Sequence, residues 1–153
     1  MQYWLMKSEP DVYGIDTLEK EGKTHWDGIR NYQARNFMRD QMRIGDQVLF
    51  YHSNARPPGV AGLAQVCSKP YPDFTAWDQT SDYYAPKSTP DKPIWVMVDV
   101  QFVEKFPTLV SLETIKTIPE CHDMLLIKKG QRLSIQPITQ LHYDTICKLG
   151  RTL

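Results

Sequence analysis

Short apolar runs punctuated by turn residues organise this chain. The first, QYWLMKS at residues 2–8, closes on polar residues and Pro10 and predicts a strand. IDTLEKEG (15–22) predicts one or two helical turns stopped by Gly22. Asn31 is placed to cap a helix running to about Met42, with Ala34, Phe37, Met38 and Met42 on one face. Tyr32, Arg35, Asn36, Arg39 and Arg43 fall on the other face. GDQVLFYHS (45–53) and GVAGLAQVCS (59–68) read as paired strands, and Gly59 and Gly62 mark bulges or a close backbone approach. Residues 69–93 lack periodicity but carry Tyr71, Phe74, Trp77, Tyr83 and Tyr84, which predicts an ordered loop packed on the body. IWVMVDVQFVEKF (94–106) is the strongest strand signal. SLETIKTI (111–118) begins with a near capping box, RLSIQPIT (132–139) predicts a last strand, and TQLHYDTICKL (139–149) predicts a helix stopped by Gly150. Strands interleaved irregularly with short helices, without repeats or a linker, predict one α+β domain over 1–153 around a small, curved, barrel-like sheet.

Composition narrows the function classes. At 153 residues, 41% hydrophobic and 24% charged, the chain is an ordinary globular sequence. Its formal net charge is zero, which argues against non-specific coating of nucleic acid. The basic residues are unevenly spread, however. Five of the seven arginines lie between Arg30 and Arg56, opposed there only by Asp40 and Asp46. A local arginine field on a neutral protein suggests an anionic partner at one place, or else a solvated surface. Three widely spaced cysteines without a C-x-x-C pattern read as reduced thiols in a cytosolic or nuclear compartment. Only His122 adjoins a cysteine and no third ligand stands at zinc spacing, so neither a metal nor a cofactor is expected. The N-terminal sequence is not that of a secretory signal and no run is long enough to span a membrane, so a soluble, cytoplasmic (in a eukaryote, nuclear) monomer is expected.

The densest chemistry lies in WDGIRNYQARNF (26–37), where a flat apolar ring precedes arginine and asparagine donors. A base removed from its stack needs aromatic surfaces around it and hydrogen bonds along its edge. Trp26 supplies the ring; its plainer reading is an ordinary core tryptophan. For a cytosine edge, Glu9 or Asp27 can accept, and Lys7, Ser8 or Ser53 can donate. Arg30, Asn31, Arg35, Arg39 and Arg56, with Lys128, Lys129 and Arg132, are candidate phosphate contacts; for the helical arginines, surface ion pairs are the alternative.

In order along the chain, YWLMKSEP, WDGIRNYQARNFMR, GDQVLFYHSN, PGVAGLAQV, YPDFTAWD and LIKKGQRLSIQPIT resemble the EVE-domain family over nearly the whole sequence. That family belongs to the PUA-like superfamily of pseudo-barrels, related to YTH and ASCH domains. The resemblance implies a strongly curved mixed sheet flanked by short helices. It also implies a nucleic-acid reader whose pocket takes a flipped modified base: 5-methyl- or 5-hydroxymethylcytosine in DNA, or a modified RNA base. By kinship with YTH domains, Lys7 and Ser8 would sit beside the base and Trp26 would be the first cage tryptophan. The hairpin residues Tyr51, His52, Ser53 and Asn54 would lie near it, and KKGQRLS would lie near the phosphates. Trp77, Tyr83 and Tyr84 are possible second cage walls. Two other readings stay open: an ASCH-like nucleoside amidohydrolase using Lys7, Glu9 and Tyr51, and a module binding a small molecule or partner protein.

Overall fold

A computed structural model describes residues 1–152. Its core is a curled six-stranded half-barrel: β1 (Tyr3–Ser8), β2 (Lys23–His25), β3 (Gln47–His52), β4 (Gly59–Val66), β7 (Asp99–Ser111) and β8 (Ile135–Ile138). The spatial order is β2-β7-β4-β3-β1-β8, and β5 (Tyr71–Pro72) pairs separately with β6 (Val96–Met97). β1 runs parallel to β3, while every other neighbouring pair is antiparallel. The helices are α1 (Ile15–Glu21), α2 (Tyr32–Asn36), α3 (Leu112–Ile115) and α4 (Gln140–Thr152). None is long and apolar enough to cross a membrane.

Alternation along the central strands explains why WLM and VLFY are apolar without a break. Trp4, Met6, Val48 and Phe50 face a core completed by α1, Met38, Met42 and Trp26. Leu5, Leu49 and Tyr51 face a second core that includes Phe106, Val110, Ile115 and Ile146. A strand covered on both faces needs apolar residues at every position. Buried Asp46 fastens the start of this sheet, accepting from Trp4 Nε1 at 3.0 Å and from the Arg43 amide at 2.9 Å. It therefore answers backbone and indole donors rather than the arginine side chains near it in sequence.

The predicted helix from Asn31 to Met42 is two pieces. Asn31 caps α2 by accepting from the Ala34 amide at 3.0 Å, but residues 37–41 widen into a π-turn in which the Met42 amide donates to Phe37 O at 2.9 Å. Met38, within this wider turn, and Met42, just after it, are both buried. The long predicted strand 94–106 is likewise divided into β6 and β7, and β7 continues past Phe106 to Ser111. Gly150 does not stop the last helix. It lies within α4, where a Cβ would come 2.3 Å from the Phe106 ring, so its role is close packing of α4 on β7. At Gly59 and Gly62 a Cβ would meet a β7 carbonyl at 2.3 Å, and the register shifts between Val60 and Gly62, as the glycine pattern predicted.

Candidate functional site

Because β1 and β3 are parallel and in register from Tyr3↔Gln47 to Ser8↔His52, both strands end at the same edge of the sheet. There the Ser53 amide donates to Ser8 O at 3.0 Å, and the Lys7 amide draws in the following segment through Ser134 O at 2.8 Å. The chain leaving β2 crosses the same edge, with the Trp26 amide on Val98 O at 2.8 Å. These segments surround an open cavity of about 810 Å³. Its walls include Lys7 and Ser8 from β1, Glu9 just after it, Trp26 to Ile29 after β2, Ser53 and Asn54 from the hairpin turn, Tyr83 from the long loop, and Gln131, Arg132 and Ser134.

Trp26 serves both core and cavity. It is 7% exposed and meets Phe50 edge-on at 5.6 Å, yet it lines the opening. Around it, several polar groups are already engaged. Ser8 Oγ donates to Tyr13 O at 2.5 Å, Tyr13 Oη donates to Glu21 Oε1 at 2.8 Å, and the Asn54 amide donates to Glu9. Lys7 and Asp27 are different. Among the described residues the half-buried Lys7 ammonium has no carboxylate within 4.0 Å. Burial holds its pKa below the ordinary lysine value. Among the described residues the Asp27 carboxylate pairs with the His25 ring, at 3.6 Å, and burial raises its carboxyl above the ordinary value, with Asp73 adding to the rise while His25, a backbone hydrogen bond and Arg30 oppose it. Partly desolvated charges without full partners are features of ligand sites.

A buried carboxylate absent from the sequence-level candidates orders one wall. Asp73 is 0% exposed, and its Oδ2 accepts from the Gly28 amide at 2.9 Å and from Arg30 at 3.0 Å. Its Oδ1 takes the Thr75 amide at 2.9 Å and hydroxyl at 2.5 Å. The remaining Arg30 donors grip Tyr83 O at 3.0 and 2.6 Å. Tyr83 is thereby set over Gly28, whose φ of +78° favours glycine and where a Cβ would come 2.7 Å from the ring. The sequence does hold a signal for this: D-F-T at 73–75 is an Asx-turn pattern, and D-G at 27–28 calls for a positive φ.

The structure thus brings Lys7, Ser8, Glu9, Trp26, Asp27, Ser53, Asn54 and Arg132 together around one cavity. Tyr51 and His52 do not join them. Strand alternation turns Tyr51 into the opposite core, with the Lys7 ammonium 5.8 Å from its ring centre. His52 Nε2 accepts the Ile15 amide at 3.1 Å, capping α1 where Gly14 has no side chain to do so. The Arg30 guanidinium is engaged by Asp73, Thr75 and the Ile29 and Tyr83 carbonyls rather than pointing freely outward. Arg35 is half-buried; it donates to Ile94 O at 3.1 Å and lies 4.8 Å from the Tyr32 ring centre. Arg39 pairs with Asp40 at 2.8 Å on the surface, and Asn31 Oδ1 is used as a cap. Arg56, Lys128, Lys129 and Arg132 are exposed and form no ion pair among the described residues. Of the possible cage walls, Tyr83 lines the cavity whereas Trp77 and Tyr84 do not.

The EVE domain family model matches residues 2–149. The chain belongs to the EVE-domain family. This EVE domain is 41% identical to mouse thymocyte nuclear protein 1 over 169 residues, spanning 98% of the chain and 74% of the relative. A hypothetical protein from Leishmania major superposes with a TM-score of 0.93 at 48% identity, covering 98% of this EVE domain and 94% of that chain. Human THYN1 protein, solved in complex with 5-methylcytosine-containing DNA, superposes with a TM-score of 0.91 at 40% identity, covering 100% and 99% of the two chains. The YTH domain of Zygosaccharomyces rouxii MRB1 protein, at 14% identity, a TM-score of 0.58 and coverage of 99% and 88%, shares the fold.

Proposed function

We propose that this EVE domain reads a modified base in nucleic acid, a 5-modified cytosine in DNA or a modified RNA base, by taking the flipped base into the cavity beside Trp26. The observation that carries this reading is one cavity lined by Trp26, by Lys7, which has no carboxylate partner among the described residues, and by Asp27, whose ion-pair contact is the His25 ring at 3.6 Å; together they are an aromatic wall, a donor and an acceptor for a base edge. A relative 40% identical over the whole chain, solved with 5-methylcytosine-containing DNA, supports it. Exposed Arg132, on the cavity rim, with Lys128 and Lys129 close in sequence, would hold the backbone. The hydrolase reading has less support, because Tyr51 packs away from the cavity and Glu9 is taken by Asn54.

The test is a pair of titrations, wild type and Trp26→Ala, on modified and unmodified oligonucleotides of one sequence at one salt concentration. Stacking is worth roughly 1–3 kcal/mol per base, so Trp26→Ala should abolish preference for the modified base while phosphate-driven affinity persists. A methyl group buries little area, so the preference at stake is about tenfold. Equal loss on both oligonucleotides would assign Trp26 to general affinity, and no loss would return it to the core. Trp26→Phe, which keeps a ring, controls for folding.

A further inference from the structure

Arg30, Asp73, Gly28 and Tyr83 form a closed circuit. Asp73 holds both the Gly28 amide and Arg30, Arg30 holds the Tyr83 carbonyl, and the Tyr83 ring lies on Gly28. Each link is short, and the carboxylate at the centre is fully buried. A surface loop held only by its own turns would leave Tyr83 free to rotate away. Here the backbone carbonyl of Tyr83 takes two guanidinium donors, while the glycine beneath leaves its ring a seat that any Cβ would fill. Tyr83 stays about one-third exposed, 36%, at the cavity wall. Nearby, Arg30 also lies 5.6 Å from the Trp95 ring centre, which fixes the guanidinium plane. None of this is needed to close the sheet, because loop 73–83 lies outside all six of its strands.

We infer that Tyr83 is a contact residue for the base in the cavity, and that Arg30 is a positioning residue that holds it there through Asp73. The inference rests on the reading of the cavity as a base site. It gives the long loop a function: the loop carries a second aromatic surface whose placement is set by an ion pair beneath it. Lysine cannot replace Arg30, since one ammonium cannot grip a carbonyl twice and a carboxylate at once.

The experiment measures binding of a 5-methylcytosine-containing oligodeoxynucleotide and its unmethylated counterpart, together with quenching of a fluorescent cytosine analogue placed at the same position. The proteins are wild type, Tyr83→Leu, Tyr83→Phe, Arg30→Lys, Gly28→Ala and Trp26→Ala, each first shown to be folded at the assay temperature. Tyr83→Leu should lose about tenfold on the methylated strand and relieve the quenching, the scale of one base–aromatic stack. Tyr83→Phe should bind within about twofold of wild type, because the ring and not the hydroxyl makes the stack. Arg30→Lys and Gly28→Ala should reproduce the Tyr83→Leu loss of quenching, though neither alters the ring itself. If Tyr83→Leu binds and quenches like wild type while Trp26→Ala loses its preference, the cavity reading stands and this inference falls. If Trp26→Ala also changes nothing, the base-site reading fails and takes the inference with it. Equal weakening on both strands by Arg30→Lys, with Tyr83→Leu unaffected, would make Arg30 a backbone contact and overturn the positioning role.

Discussion

Removing the Arg30 guanidinium should destabilise the domain without changing how its binding responds to salt. Asp73 is 0% exposed, while the Arg30 side chain is 23% exposed, so truncating the arginine leaves a buried carboxylate without its cation. Breaking one partner of a buried pair costs about 3–5 kcal/mol. Asp73 would keep the Gly28 amide and both Thr75 donors, which places Arg30→Ala at the lower end, about 3 kcal/mol. Asp73→Ala should cost about as much, because it orphans two backbone amides and the guanidinium. In the double variant the guanidinium is gone and only the amides are orphaned, so the total should be about 4 kcal/mol instead of about 6. The cycle therefore yields a coupling of about 2 kcal/mol. Denaturant unfolding of the four proteins measures it, and for a chain of this length Arg30→Ala should also lower Tm by about 6–12 °C. Salt titrations of nucleic-acid affinity complete the assay. A cost below about 1 kcal/mol with no coupling would describe a solvated surface pair. If the salt slope flattened as well, Arg30 would be spent on phosphate, and the inward geometry would not describe the protein in solution.

Three further outcomes are expected. Arg132→Ala should reduce the slope of log affinity against log salt by about 0.9 on duplex DNA, one phosphate contact, whereas Arg30→Ala should leave the slope alone. Gly150→Ala should lower Tm: a helix-interior Ala gains about 1 kcal/mol over Gly, but a Cβ 2.3 Å from the buried Phe106 ring overpacks the α4–β7 contact at about 1–3 kcal/mol. Asp27→Asn should unfold at slightly higher denaturant near neutral pH. A carboxyl whose folded pKa is raised opposes folding where it is ionised, and that penalty fades as pH falls through the raised value towards the ordinary 3.8. The carboxylate is partly solvated and faces His25, Arg30 and Asp73, so the gain should stay below about 1 kcal/mol; a stability loss at neutral pH would show that Asp27 is structurally paired.

The parts of this fold legible in the sequence are those set by local pattern. The apolar runs of β1, β3 and β4 mark strands wherever they sit, and Asn31 and Ser111 mark helix starts because capping is a short-range bond. What escaped depends on contacts between distant segments. Gly150 reads as a helix stop until Phe106 is seen beneath it, and Arg30 reads as a surface arginine until Asp73, 43 residues on, is seen beside it. Tyr51 and His52 adjoin Ser53 and Asn54 in sequence, yet strand alternation and the bare N-terminus of α1 send them elsewhere. The sequence points to the residues at the polar end of the cavity, Lys7, Ser8 and Trp26 through the resemblance to one family and Glu9 and Asp27 through their acceptor chemistry, and the fold brings them together. The loop wall beyond Tyr83 is not legible in the sequence, since an Asx turn does not say which arginine its carboxylate will meet.

The cavity is assembled from residues 7–9, 12–13, 24–29, 53–54, 83, 131–132 and 134, stretches scattered over nearly the whole chain. No single stretch supplies all of its walls, so unfolding any one of these regions opens the cavity. Occupancy is thereby linked to the global transition: a ligand at a hundred times its Kd should add about 2.7 kcal/mol to stability, whatever it contacts inside. On a chain of this size that is a rise in melting temperature of about 5–11 °C. A library of nucleosides and short modified oligonucleotides can thus be ranked by heat alone, with neither label nor prior choice between DNA and RNA.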